Sequence, residues 1–493
     1  MKQPLHHAFR AAALLTAVCL LASCGRKEPP PEPSSETKTT TVAPETPAPA
    51  TEPSPDTAPV TSEPERNAAA ATAPETPTTA KAPVPEPRPE PARVTFDSEL
   101  KLNVYAFDPA AGEWDKAGET GATNKTAQSL SLRADVPWYV APRKKEKLEA
   151  EDIAALAKEI EAKKIPGLSL AGRKEINDDA VSALSELTNL RYLDLSGTSV
   201  GNGVMDALPG IESLWGLDFS HTGINDHGLK RLAEDATLKY LKLYPASITD
   251  NGLAFLGAMT SLEYLWLAGG HFGDSGLAHL KPLQAVRVLN VDSEHATDLG
   301  MRWYGELKGL EVLHLRRHRA AGWGMDALTH LPALRELIVE GGLHDDAAPH
   351  LAALGNVRHL ALHDTGIGEA AVQAAAALPK LKVLTVTGAG NLKRFDPKLA
   401  SGANDAERIG ITNTKLDGAG IRALAHLFSG EMPSEADGKA LAGLDRILLG
   451  GASLSDGSLA FLSGCGKLKQ LTLMGTKVTG DGLDNLKGLG ALE

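Results

Sequence analysis

Leucine and its isosteres return at a fixed interval through two thirds of this chain. Leu190-Leu193-Leu195, Leu214-Leu217-Phe219, Leu238-Leu241-Leu243 and Leu262-Leu265-Leu267 are followed by Val286-Leu289-Val291, Leu310-Leu313-Leu315 and Leu334-Leu337-Val339, each triplet 24 residues after the last. The pattern goes on, one residue short, at Val357-Leu360-Leu362 and Leu381-Leu384-Val386, then at Ile409-Ile411, Leu444-Ile447-Leu449 and Leu468-Leu471-Leu473; Ile165-Leu168-Leu170 opens it. That makes 13 units. A register kept over so many steps excludes a globule with an irregular core and demands a solenoid, in which each unit buries its apolar side against the next.

Each unit has two halves. LxxLxL is a short strand whose leucines point inward while the residues between them point out. After a turn come segments such as "TGINDHGLKRLA" and "ASITDNGLAFLG", in which Asp226, Asp250 and Asp274 stand at expected helix N-caps ahead of Leu229-Leu232, Leu253-Leu256 and Leu277-Leu280. Strands are narrower than helices, so the expected stack is an arc with a parallel sheet inside and short helices outside. On these residues the chain resembles the leucine-rich-repeat superfamily, in its (L)xxLxLxxTxITDxGLxxLxxL form and close to the cysteine-containing subclass. The resemblance covers roughly residues 165–493 and implies an α/β horseshoe. It also implies that the Thr in the usual Cys or Asn place (Thr198, Thr222, Thr365, Thr414 and Thr476) bonds the turns of adjacent repeats. It says almost nothing about the ligand, because function on such a fold lives in surface residues.

The strand positions that point out are therefore the place to look. Tyr192, Tyr240, Tyr244, Tyr264 and Trp266 stand there in the early units, then Asn290, Asp292, His314 and Arg316, then Glu336, Glu340, His359 and His363. Large amphipathic rings beside Arg are the residue types of binding hot spots, so these positions form the expected ligand face; cross-strand stacking is the alternative. A protein is the expected partner, a glycan the second class, and an architectural envelope role without a specific ligand the third. Four residues on a strand separate His359 from His363 by about 13 Å, too far to share a metal ion, so the histidines read as solvated. The basic run Arg316 to Arg319 reads as pairing with Glu336 and Glu340.

The segment before the repeats gives context. Lys2 and Arg10 precede an apolar run, Ala11 to Ala22, too short to span a bilayer, which takes about 20 residues, and suited to a signal peptide, residues 1–23. Leu21-Ala22-Ser23-Cys24 resembles a bacterial lipobox, which implies cleavage before Cys24 and lipid on its sulfur; Gly25 in place of Asp favours the outer membrane by Gram-negative sorting. Residues 26–92 hold 18 of the chain's 31 prolines and no Phe, Trp or Tyr, so the stretch 24–92 reads as a lipidated tether that cannot bury enough apolar surface to fold. Residues 93–145 alternate apolar and polar positions and read as a separate small β-region, with Trp114, Trp138 and Tyr139 in packing or, alternatively, in a glycan site. Residues 146–164 read as an amphipathic capping helix over Ile153, Leu156 and Ile160.

Composition excludes several classes. A net charge of −12 argues against nucleic acid and anionic membrane surfaces as partners. Of the three cysteines, Cys19 leaves with the signal and Cys24 takes lipid, and the third, Cys465, reads as a small buried residue; no disulfide framework or Cys-based zinc site can be built. GxSxG, the phosphate loop, HExxH and paired-glycine fingerprints are all missing, so the expectation is no enzyme, no catalytic residues, no metal and no cofactor. Two segments break the repeat: 426–444 inserts about 14 residues, and 387–408 loses the helix motif. The last repeat lacks a polar cap, so its strand edge is expected to self-associate or remain a liability.

Overall fold

The computed structural model describes most of residues 93–389, with short breaks, together with strands 408–412 and 446–450 and most of 455–493. Cys24, the tether, Thr414, Cys465 and both irregular segments between repeats lie outside the described residues, apart from the few at their ends.

One sheet of 16 strands runs through the repeat region and past its start. Its 13 repeat strands run from β6 (Gly167–Ser169), β7 (Tyr192–Asp194), β8 (Gly216–Asp218), β9 (Tyr240–Leu243) and β10 (Tyr264–Ala268) to β11 (Val288–Asp292) and β12 (Val312–Arg316). Then come β13 (Glu336–Glu340), β14 (His359–His363), β15 (Val383–Thr387), β16 (Arg408–Thr412), β17 (Arg446–Gly450) and β18 (Gln470–Met474). Neighbours pair in parallel with no slip, so that Leu265 lies beside Leu241 on one side and Leu289 on the other. From β6 to β15 the repeat leucines are almost wholly buried and join one continuous core, against which Leu471 and Leu473 of β18 are partly buried; each fully buried Leu contributes roughly 1.5–3 kcal/mol.

The residues 93–145 are not a separate region. Strand β5 (Trp138–Pro142) pairs in parallel with β6, β2 (Leu102–Asp108) pairs antiparallel with β5, and β3 (Glu113–Glu119) closes a hairpin on β2. Only β1 (Arg93–Phe96) and β4 (Leu130–Arg133) form their own two-stranded sheet. Alternation explains the merger: Leu102, Val104, Trp138 and Val140 enter the repeat core, while Tyr105, Phe107 and Tyr139 face the other side. A Cβ at Gly167 would collide with Tyr139 and the Trp138 carbonyl, so glycine is what lets β5 approach β6. Helix α1 (Ala150–Lys163) buries Ile153, Leu156 and Ile160 against the same core, and Asp152 accepts from the Glu149 N–H at 2.9 Å to cap its start.

The motif aspartates do something other than capping their own helices. The caps fall one residue earlier: Asn225 before Asp226 and Thr249 before Asp250 accept from the N–H of His227 and Asn251, as Thr297 before Asp298 does from that of Leu299, while Gly273 before Asp274 brings no side-chain cap. Asp226, Asp250 and Asp274 reach into the next repeat instead and accept from the N–H of Thr249 (2.9 Å), Gly273 (2.8 Å) and Thr297 (2.8 Å). Asp298 takes three such bonds, from Ala321, Gly322 and Gly324. This approach requires the motif glycine: a Cβ at Gly252 would strike Asp226, and one at Gly300 would strike Asp274. Asp and Gly in "DxG" are thus one device split across two repeats.

The expected threonine ladder is corrected. Thr198 and Thr222 donate to the Leu195 and Phe219 carbonyls of their own repeats, each at 2.6 Å. The Thr476 hydroxyl accepts at 3.5 Å from the Val478 N–H, and that of Thr365 is buried without a partner among the described residues. The hydroxyl serves the tight turn after the strand, while backbone bonds such as Gly197 N–H to Ser220 O, 2.7 Å, join one turn to the next.

The split device predicts a coupled double mutant. Asp274→Ala should cost about 1 kcal/mol, as a lost cap does, and Gly300→Ala about 1–3 kcal/mol by overpacking. Together they should cost less than the sum by at least about 0.5 kcal/mol, read from urea midpoints; strict additivity would refute the pairing.

Candidate functional site

The outward residues of the repeat strands form three rows along the concave face, set by the register. One row holds Tyr192, Gly216, Tyr240, Tyr264, Val288, Val312, Glu336, His359 and Val383. The middle row holds Asp194, Asp218, Lys242, Trp266, Asn290, His314, Ile338 and Ala361; the third includes Ala268, Asp292, Arg316, Glu340 and His363.

Three of the tyrosines are not available to a ligand. Tyr192, Tyr240 and Tyr264 are only 2 %, 2 % and 3 % exposed and belong to a second apolar cluster with Phe107, Tyr139, Val288 and Val312. Phe107 comes from β2 and meets Trp215, Tyr240 and Tyr264 edge-on, with ring centroids 5.2, 5.9 and 5.2 Å away. In a flat sheet β2 and β10 would stand six strand spacings apart, about 29 Å. The sheet therefore curls at its start and carries the β2–β3 hairpin across the concave face. Gly216 makes room: a Cβ there would press on both Tyr192 and Tyr240. Tyr105 stacks on Tyr139 at 4.9 Å, and Tyr139 packs at 5.2 Å from Tyr192. The expectation of a solvated aromatic patch is overturned because the chain supplies its own occupant. The side chain of Trp114 lies outside the described residues, and Trp138 is in the main core. Phe107, Tyr105, Tyr139 and Trp215 were missed as partners of the patch; the period-2 alternation of "LNVYAF" was the available signal.

What stays accessible begins at the edge of this cluster. Trp266 is half-buried, packed at 5.0 Å from Tyr240 and stacked on Tyr264. Tyr244 is also half-buried and sits 6.0 Å from the ring of His221. Beyond them lies a polar relay. Asn290 Nδ2 stands 3.4 Å from His314 Nδ1, His314 Nε2 stands 3.1 Å from Glu336 Oε1, and Glu336 Oε2 stands 3.4 Å from His359 Nδ1. Burial by itself would raise the Glu336 carboxyl, yet His359 and His314 on either side hold it well below the usual carboxylate range. His359 Nε2 is buried without a partner among the described residues.

The histidines are thus not solvated as expected. His363 bonds the Thr387 hydroxyl at 2.7 Å, and burial lowers it to about 4 against the opposing pull of Glu340. Of the basic run, Arg316 does pair with Glu340 at 2.8 Å. Arg317, held at positive φ, turns back instead to Asp292 and Glu294 on the preceding repeat. His318 turns inward to the buried Tyr304 hydroxyl at 2.9 Å, and burial lowers it to about 4. Lys242 faces Asp218 at 3.5 Å. Among the described residues no group of three His, Cys, Asp or Glu side chains is arranged to hold a metal ion, and no helix is long and apolar enough to cross a membrane.

Thirteen parallel strands in register, leucines inward and short helices on the return path, decide the architecture. The fold is a leucine-rich-repeat solenoid. No protein-family model and no curated protein matches the chain. Among solved structures it is similar to an internalin from Listeria monocytogenes, with 18 % identity over 70 % of this chain and 93 % of that one and a TM-score of 0.41. It is also similar to a leucine-rich-repeat protein of Leptospira interrogans, with 14 % identity over 71 % and 92 % and a TM-score of 0.41. A third is the receptor TLR13 in complex with a single-stranded RNA, with 15 % identity over 70 % and 53 % and a TM-score of 0.46.

The repeat solenoid makes the hairpin testable. Phe107→Ala should cost about 3–5 kcal/mol, as for a buried Phe, while the half-buried Trp266→Ala should cost well under half as much. Urea unfolding followed by circular dichroism reads both, and equal losses would contradict this account of the cluster.

Proposed function

We propose that this chain is a lipid-anchored envelope protein, without enzymatic activity, that recognises another protein through the open part of its concave face. The binding surface runs from Tyr244 and Trp266 across Asn290 and His314 to Arg316, Glu340 and His363. The observation that carries the reading is the condition of that surface. A half-buried Trp266 stands at the border of a packed aromatic cluster, next to a polar field whose charges are already matched by neighbours: Lys242 with Asp218, Arg316 with Glu340, Arg317 with Asp292. A preorganised field of this kind around an aromatic anchor suits protein recognition, because docking need not strand a charge. The lipobox at Cys24 supports anchoring, and Gly25 favours the outer membrane. A glycan is the second reading, on the stacking surface of Trp266.

A photo-reactive amino acid at position 266 or 314, introduced in cells, should crosslink to one discrete protein band. The same probe at Asn251 or Ser275, on the convex helices, should not. Bands of equal yield from both faces would refute concave recognition, and a glycan array would detect the second reading. Cys24→Ser should move the chain from the membrane to the soluble fraction, and protease treatment of intact cells reports the side on which it is displayed.

A further inference from the structure

A charged ladder borders the first concave row, and its alternation breaks beside the open part of the face. Backbone bonds fix its members: the N–H of Glu263, Arg287, Glu311, Arg335, Arg358 and Lys382 each donates to the carbonyl of the equivalent residue one repeat earlier, at 2.7–2.9 Å. From Lys239 to Arg335 the signs alternate and the side chains pair. Lys239 meets Glu263 at 2.7 Å, Arg287 meets Glu311 at 2.6 Å, and Arg335 takes the other oxygen of Glu311 at 3.0 Å. Burial works against it, yet the two guanidinium groups hold the Glu311 carboxyl below the usual carboxylate range. Then three cations follow one another, Arg335, Arg358 and Lys382. Arg335 keeps Glu311 and Lys382 has a contact of its own, but the exposed Arg358 has no side-chain partner among the described residues.

We propose that Arg335, Arg358 and Lys382 form a binding stripe for an acidic peptide segment of the protein partner, whose carboxylates complete the ladder at Arg358. The inference rests on the concave face being the binding surface, since Glu336 and His359, next in sequence to Arg335 and Arg358, stand in its first row. Like charges on neighbouring strands, about 4.8 Å apart, repel, and opposite charges attract. A ladder that obeys this rule from Lys239 to Arg335 and breaks it at Arg358 calls for an anion from outside. Glu311 shows what form that anion takes: one carboxylate between two guanidinium groups, with an oxygen to each Nε. An extended peptide sets every second carboxylate about 7 Å apart, a spacing that the long arms of Arg and Lys can follow. In a chain of net charge −12 most of the surface repels such a segment, so the stripe also fixes where it lands.

The unmatched cation should weaken the free protein, and that is measurable without any partner. Arg358→Glu restores the alternation from Lys239 to Lys382. At low salt it should therefore lower the unfolding constant about two- to fivefold, read from urea titrations followed by circular dichroism. The gain should fade in 1 M salt, where charges act over only about 3 Å. An arginine that served the fold alone would lose stability on reversal.

Binding is read from the fluorescence anisotropy of labelled hexaglutamate mixed with the full chain at low salt. Arg358→Glu should weaken it at least about tenfold, as the loss of a hydrogen bond to a charged group does. Lys230→Glu, the same change of charge on the convex helix Asp226–Leu232, should leave it nearly unchanged. No stabilisation on reversal, or one that persists in salt, would overturn the broken ladder. Absent hexaglutamate binding, or binding that survives Arg358→Glu, would overturn the stripe. A heparin hexasaccharide that binds where hexaglutamate does not would do the same and point to a sulfated glycan. No native partner enters these measurements, so their failure leaves concave recognition standing, whereas a stripe that passes while crosslinking from 266 and 314 fails tells against concave recognition alone.

Discussion

Everything in this molecule depends on each turn of chain matching the next without a slip. A parallel strand has no tight turn to hold its register, so the match must come from side chains, and it comes from both halves of the repeat. On the strand side, leucines point inward and stack on their equivalents. On the helix side, Asp226, Asp250 and Asp274 each cross to a backbone N–H group that opens the next helix. A helix of seven residues, such as Asp250–Leu256, is too short to be stable alone. It exists because its neighbour supplies both its apolar floor and part of its cap.

That arrangement explains why the architecture was legible and its bonds were not. Leu193, Leu217, Leu241 and Leu265 announce inward positions because burial acts on one residue at a time. The partner of Asp226 is a backbone group in the following repeat, and residue type says nothing about which of two helix starts a carboxylate will serve. The threonine failed in the same way: Thr198 fits a bond within its own turn as well as one between turns.

The site was harder to read for a different reason. Outwardness in a strand is a local property and follows from alternation; exposure is not local. Tyr240 points out of the solenoid core as expected, yet Phe107, more than a hundred residues earlier, comes to rest on it. Periodicity within the repeats carries no information about a strand that joins the sheet from outside the period. The small region's alternation did hold the clue. Leu102 and Val104 suit one apolar side and Tyr105 and Phe107 another, and a strand apolar on both sides must be covered on both.

The covered tyrosines change what kind of surface the concave face is. Leucine-rich repeats leave the inner wall of the arc bare, and a bare wall of aromatics would associate with anything apolar. Here the first strands close that wall with the protein's own hairpin, and the open remainder is a field in which Asn290, His314, Glu336 and His359 are already engaged with one another. Selectivity on such a surface comes from the cost of disturbing the relay: a partner must match the hydrogen bonds it displaces or leave a buried group unpaired. Trp266 stands at the seam between the closed and the open parts, the one large ring of the middle row that is packed on the cluster and still reachable. A ligand that uses it touches the edge of the hairpin's seat as well, so the grip on the partner and the seating of the hairpin share a side chain and are bound to influence one another.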